Sequence, residues 1–204
     1  MKDPVTPINI GAPIVKLEDS LFHGKLICLA PIDHEADPAI VSRWTHDAEF
    51  MRLLQPDPVR PLSPAMVKKK YERLEKTASE ENNMIYFTIR LLPDDRLIGF
   101  AQLYQIEWNN GTAAIQLGIG EPEWRERGCG TEALQLLLRY AFVEMNLYCL
   151  SAIIVEYNLA AVRLFEKAGF VQEVCRRQAI QRDGRRWDLL HYGILHPEWG
   201  TITG

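Results

Sequence analysis

The segment from Gly118 to Ala133, GIGEPEWRERGCGTEA, constrains the fold more than any other part of the sequence. Gly128 and Gly130 stand directly before a stretch with apolar residues at helical spacing, which predicts an amphipathic helix from Thr131 to Met145. The glycines let the backbone approach a ligand, and the helix start presents unpaired N–H groups and the positive end of its dipole. The segment therefore predicts an anion site suited to a pyrophosphate.

Main-chain groups around the two glycines would hold the anion: those of Arg127, Gly128, Cys129, Gly130 and Thr131. The side chains of Arg125 and Arg127 add positive charge nearby. A thiol at a helix N-terminus has a lowered pKa, so Cys129 is also predicted to be reactive until a bound ligand blocks it.

Three interpretations of this loop compete, and the third depends on a motif farther along the chain. It could be an ordinary glycine-rich turn before a helix. Residues 128–133 also match G-x-G-x-x-A, the dinucleotide-binding pattern, but that pattern requires a strand running straight into Gly128. Here Glu121–Arg125 intervenes and the preceding strands read as antiparallel hairpins. A Walker loop is excluded because no Gly-Lys-Ser/Thr follows.

The remaining sequence predicts a mixed α/β fold on one mostly antiparallel, twisted sheet flanked by helices. The predicted order is a strand, two helical segments, three antiparallel strands, a helix, a strand, a helix and a final hairpin. Only residues 112–170 read as a β-α-β unit. Ser63 and Pro64 form a helix start, with Ser63 as the N-cap. We expect an arm over 1–21, a single domain over 22–199 and a tail over 200–204.

A second motif lies downstream of the glycine loop. Residues 158–170, NLAAVRLFEKAGF, resemble the N-x-x-A-x-x-L-Y-E-K-x-G-F segment of the GNAT acetyltransferase superfamily. The triplet Arg125, Gly128 and Gly130 matches the Q/R-x-x-G-x-G/A acetyl-CoA loop of that family. The opening strand and the closing Pro-Glu-Trp resemble the RimJ/RimL-like branch. The resemblance covers roughly residues 22–199.

This resemblance implies a GNAT fold that binds acetyl-CoA and transfers its acetyl group directly to a primary amine in a ternary complex. The acceptor would be a protein N-terminus or a small-molecule amine. Family members use the free N–H groups of a splayed strand, here at Leu117, Gly118 and Ile119, to hold the pantetheine arm and polarise the thioester. Asn158 would also reach the cofactor. A homodimer is expected by resemblance only.

Phe165 departs from the family pattern, which has a tyrosine whose hydroxyl can protonate the departing thiolate. Tyr157 and Tyr104 are the nearest alternative donors. Because an alkylamine is mostly protonated near neutral pH, a general base is also needed. Glu107, next to the turn at 109–111, and His191 are the candidates. Because Phe165 departs from the pattern, an alternative function stays open: a non-catalytic regulatory module that binds acetyl-CoA or CoA.

Net charge, apolar run length and cysteine spacing exclude further classes of partner. The net charge of −4 lacks the basic surplus of nucleic-acid binders. No apolar run reaches transmembrane length, and the four cysteines show no metal-ligand spacing. We therefore expect a cytoplasmic protein with reduced thiols and no metal, nucleic-acid or membrane partner. The acceptor side is expected between 33–80 and the final hairpin.

Overall fold

The structure, a computed structural model, describes residues 20–202 and the side chains as far as residue 199. All of the predicted N-terminal arm except Ser20 and Leu21 lies outside the described residues. The strands are β1 (Ile27–Ala30), β2 (Ile85–Leu91), β3 (Leu97–Glu107), β4 (Thr112–Ile119), β5 (Cys149–Val155), β6 (Val171–Arg182) and β7 (Arg185–Leu195). The helices are α1 (Asp37–His46), α2 (Ala48–Leu54), α3 (Pro64–Glu81), α4 (Cys129–Arg139), α5 (Leu159–Lys167) and α6 (His196–Ile202).

The strands form one sheet in the order β1-β2-β3-β4-β5-β7-β6. Every neighbouring pair is antiparallel except β4 and β5, which run parallel. The predicted mixed, mostly antiparallel sheet is confirmed, and so is the β-α-β unit, because α4 connects the two parallel strands. A parallel pair requires such a crossover, whereas the other connections can be short turns.

Helix α4 covers one face of the sheet. Its buried residues Leu134, Leu137 and Leu138 join β-strand residues such as Ile89 and Ile115 in the main core. The amphipathic pattern therefore predicted the buried side of the helix correctly. Beyond Arg139 the chain continues as a short π-helix, whereas the sequence predicted an α-helix as far as residue 145.

Helices α1 and α2 lie against the opposite face. Trp44 and Phe50 pack there with Leu97 and the half-buried Phe100. The helices approach the sheet closely at β4, since a Cβ added to Gly118 would lie 3.2 Å from the Phe50 ring. Because Gly118 has no side chain, α2 can pack closely on the strand that leads into the glycine loop.

Helix ends follow local capping chemistry. Ser63 accepts a hydrogen bond from the Met66 N–H, which confirms the predicted N-cap of α3. Helix α6 extends to residue 202, into the range that the sequence predicted as a tail over 200–204. The Glu198 carboxylate, in the first turn of α6, accepts a hydrogen bond from the Leu195 N–H at 2.8 Å and so stabilises the helix start.

Candidate active site

A cleft opens where β4 and β5 separate. The two strands pair from Thr112 and Cys149 only as far as Ile115 and Ala152, although both continue beyond that point. The space between their diverging ends has a volume of about 690 Å³. It extends between α2 and α5 to the start of α4. The splayed strand that the sequence resemblance implied is therefore present.

The free edge of β4 presents alternate peptide groups to this cleft. The Gly120 N–H donates to the Ile98 carbonyl of β3, so this peptide faces the neighbouring strand. Because successive residues of a strand face opposite edges, the Gly118 N–H also faces β3, whereas those of Leu117 and Ile119 face the cleft. Of the three amides predicted from sequence, two have the orientation that ligand binding needs.

The glycine loop places the start of α4 at the same cleft. Gly128 is the N-cap residue, with a φ of +88° that an L side chain rarely adopts. The Glu132 N–H makes the first intrahelical bond, to the Gly128 carbonyl, so the N–H groups of Cys129, Gly130 and Thr131 have no intrahelical partner. This arrangement can bind an anion through N–H groups and the helix dipole.

Arg125 holds the loop to the rest of the cleft. Its guanidinium donates to the carbonyls of Ile119 and Gly120 and forms an ion pair with Asp47 at 3.1 Å. It also lies over the Phe50 ring, 4.9 Å from the centroid. Three acceptors within the protein already use this charge, so Arg125 shapes the site more than it supplies free charge to a ligand.

Two predicted loop residues turn their side chains away from the cleft. Arg127 is exposed and lies over the Trp124 ring. Cys129 is 1% exposed within the main core. Burial, followed by the nearby Glu132 carboxylate, raises the pKa of the Cys129 thiol. The predicted lowering of the Cys129 pKa is therefore wrong, because burial disfavours the charged thiolate.

The cleft gains positive charge from α5 instead. Arg163 and Lys167, one helical turn apart, are exposed residues that line it. Arg163 was not among the site residues predicted from the sequence. Its spacing of four residues from Lys167, on a helix that begins at a cofactor-binding motif, was the available signal.

Asn158 and Phe165 also line the cleft. The Asn158 side chain accepts from the Ala161 N–H, which caps α5, and donates to the Leu53 carbonyl of α2 at 2.9 Å. Phe165 is 5% exposed and packs edge-on against Phe170. Its ring therefore occupies the position where the resemblance expects a tyrosine hydroxyl.

Comparison with known proteins identifies the family. Residues 27–171 match the model of the acetyltransferase (GNAT) domain. The chain belongs to this family. It is an acetyl-CoA-dependent N-acetyltransferase, and the cleft described above supplies the splayed strand and helix start that such a co-substrate needs.

Two relatives from Bacillus subtilis (strain 168) support the assignment. The probable N-acetyltransferase YjcK is 35% identical over 127 residues, which is 62% of this chain and 67% of its own. The uncharacterized N-acetyltransferase YnaD is 30% identical over 119 residues, 58% of this chain and 68% of its own.

A solved structure shares the fold. It is a spermidine N-acetyltransferase from Vibrio cholerae in complex with CoA and spermine, with a TM-score of 0.74 and 21% identity, covering 85% of this chain and 97% of that one. Such low identity shows the architecture alone. Within residues 20–202 of the acetyltransferase, no helix is long and apolar enough to cross a bilayer, and no group of acidic, His and Cys side chains could hold a metal ion.

A second cavity, of about 320 Å³, adjoins the cleft of the acetyltransferase. It lies between α2 and the β6–β7 hairpin, where the acceptor was expected. Glu49 and Leu53 line both spaces. Tyr157 borders the second cavity, where its hydroxyl donates to the Arg52 carbonyl at 2.8 Å and accepts from Arg182.

Glu49 is the acidic residue that borders both spaces. It is exposed, and among the described residues its carboxylate has no ion-pair or hydrogen-bond partner. Glu49 was not predicted from the sequence because it belongs to no motif. The only available signal was its position on a short helix before a proline-rich loop, which does not distinguish it from neighbouring charged residues.

The structure does not bring the other candidate bases or donors to the cleft. Glu107 is paired with Thr112, at the opposite end of β4 from the splayed edge, and accepts a hydrogen bond from Asn110. Tyr104 pairs with Ala114, in the part of β4 that is still paired with β5. His191 pairs with Ile153 in the sheet and lines neither cavity, although its buried Nε2 has no hydrogen-bond partner among the described residues.

Proposed function

We propose that this enzyme transfers the acetyl group of acetyl-CoA directly to a primary amine while both are bound. Acetyl-CoA would occupy the splayed cleft, and the amine would enter through the second cavity. The observation that carries this proposal is the continuity of the site. The free edge of β4 leads into the glycine loop, and Glu49 and Leu53 border both spaces.

The chain provides two kinds of donor for acetyl-CoA. The unpaired N–H groups at the start of α4 would bind the pyrophosphate, with Arg163 and Lys167 nearby. The N–H groups of Leu117 and Ile119 would pair with the pantetheine arm and polarise the thioester carbonyl. Fixed donors of this kind stabilise the negative charge that grows on the carbonyl oxygen during attack.

The reaction needs one proton to leave the acceptor and one to reach the sulfur. A neutral amine nitrogen attacks the thioester carbon, so that a C–N bond forms and the C–S bond breaks. CoA leaves as a thiolate. Phe165 has no hydroxyl to donate, and Tyr157 already donates to the Arg52 carbonyl. We therefore propose that solvent protonates the thiolate and accepts the proton that the attacking nitrogen loses as the amide forms. An amine that arrives as an ammonium ion first gives one further proton to solvent.

The acceptor class remains that of a protein N-terminus or a small amine. The RimJ/RimL-like resemblance at the two ends of the domain supports this choice. We also place the enzyme in the cytoplasm, a proposal supported by its four cysteines, all of which are free thiols.

Steady-state release of CoA in the presence of a panel of amines and N-terminal peptides tests the proposal. A Cβ at Gly130 would lie 3.8 Å from Ile119 and 3.9 Å from Leu164, both of which line the cleft. Gly130→Phe should therefore fill the cleft and abolish both acetyl-CoA binding and turnover. Ser79→Phe adds the same ring on an exposed part of α3 and serves as the control. Tight binding of acetyl-CoA without turnover of any amine would contradict the proposal.

A further inference from the structure

The second cavity offers one free carboxylate to an acceptor. Glu49 and Asp183 are the acidic residues that line it. Asp183 is paired with Arg52, whose Nη1 lies 3.3 Å from both carboxylate oxygens. Glu49 has no such partner among residues 20–202. An entering ammonium group therefore finds one uncompensated negative charge, at the junction with the acetyl-CoA cleft.

The positive charges of this cavity are fixed in place. Arg182 donates to the carbonyls of Arg52, Gln55 and Asp57 as well as to the Tyr157 hydroxyl. These acceptors are neutral, so the guanidinium keeps its full positive charge at the cavity wall. The hydrogen bonds also tie the β6–β7 hairpin to the end of α2, which prevents this charge from turning away.

The aromatic rings at this cavity already contact arginine side chains of the protein. Arg185 lies 3.9 Å from the centroid of the Trp187 ring. Arg182 lies 5.9 Å from the centroid of the Tyr157 ring, which itself contacts Trp187 edge-on. Aromatic rings can bind cations through their faces, and here a guanidinium group of the protein takes one face of each ring. The rings contribute apolar surface rather than a second cation site.

We infer that the second cavity accepts a substrate with a single ammonium group, held by Glu49, and rejects polyamines. This inference rests on the proposed function, because it specifies the acceptor of the same reaction. A second ammonium group would face the Arg182 guanidinium, whose charge no carboxylate offsets. Like charges brought together in a partly enclosed site oppose binding. The remainder of the acceptor would be apolar or uncharged, matching Leu53 and Trp187.

Pentylamine and cadaverine give a matched test, because they share a five-carbon chain and differ by one ammonium group. We expect kcat/KM for pentylamine to exceed that for cadaverine by at least about tenfold. Glu49→Gln should lower kcat/KM for pentylamine by roughly tenfold or more while acetyl-CoA still binds. Glu72→Gln, a matched change on the exposed surface of α3, should leave both values as in the wild type.

A second variant tests the source of the selectivity. Arg52→Gln removes a positive charge from the wall and frees Asp183, so it should raise the use of cadaverine relative to pentylamine. Equal or better use of cadaverine by the wild type would overturn the inference, and so would a Glu49→Gln enzyme that matches Glu72→Gln. Failure of every amine to release CoA would instead contradict the proposed function, and the inference with it.

Discussion

Cys129 shows how burial changes the chemistry expected of a residue from its sequence position. Its place at the start of α4 indicated an acidic thiol, yet the side chain points into the core. The glycine on each side of it lines the cleft, whereas Cys129 does not. Residues along this turn alternate between facing the core and facing the cleft. This alternation depends on how α4 packs against the sheet, so the sequence alone did not indicate it.

Alkylation of the native protein near neutral pH should therefore modify Cys175 well before Cys129. Cys175 is exposed on β6, although its hydrogen bond to Asp188 raises the pKa of its thiol. Cys129 combines a raised pKa with almost complete burial. Mass spectrometry of peptides from a timed iodoacetamide reaction measures both rates. Rapid labelling of Cys129 that acetyl-CoA suppresses would contradict this placement.

Helix α2 joins the acetyl-CoA cleft to the second cavity, and its N-cap is Asp47. The Asp47 carboxylate accepts a hydrogen bond from the Phe50 N–H and forms an ion pair with Arg125. These contacts, the first above all, hold the pKa of Asp47 below its usual value, although burial opposes the shift. A depressed pKa means that the ionised form stabilises the fold, so this contribution exists above the unfolded-state pKa and is lost as the pH falls through the folded-state pKa.

Asp47→Asn separates the charge from the cap, because asparagine caps helices about as well as aspartate. The variant should unfold at lower urea concentration than the wild type at neutral pH. The difference should shrink as the pH falls below about 4, where the wild-type carboxylate becomes protonated. Urea unfolding followed by circular dichroism over this range measures it. A difference that stays constant with pH would show that the charge of Asp47 is unimportant.

Elements with strong local signals were predictable from the sequence, whereas their relative positions were not. The Ser63 cap, the apolar face of α4 and the 158–170 motif each depend on neighbouring residues, and the structure confirms α3, α4 and α5. The π-helix after Arg139 depends on tertiary packing, which local propensity does not encode. The helix at His196 was not predicted, although the Glu198 contact at its start is local.

At the scale of the whole molecule, carboxylates hold the helices to the sheet. Asp37, at the start of α1, is fully buried and accepts two hydrogen bonds from Arg90 of β2. Glu132 of α4 accepts from the N–H groups of residues 25–27 at the start of β1. These contacts join segments far apart in sequence, so no local pattern could have revealed them. The geometry of the site depends on these long-range contacts. For that reason Glu49 could not be identified as a site residue from the sequence.

Removing one partner of the buried pair should strongly destabilise the protein. Arg90→Met leaves the Asp37 carboxylate buried without its counter-charge, and such a change costs about 3–5 kcal/mol in the free energy of unfolding. Arg96→Met removes an exposed arginine from the same hairpin and should change that free energy by less than about 0.5 kcal/mol. Denaturant unfolding of both variants gives the comparison, and a similar small loss in each would show that the pair is not essential to the fold.

The most direct test of the central claim is to follow a single turnover of the enzyme with acetyl-CoA and pentylamine by mass spectrometry. Direct transfer predicts one N-acetylated amine for each CoA released, with no acetylated protein at any time point. CoA released without N-acetylated product, or an acetyl group that accumulates on the protein before the product appears, would contradict the account.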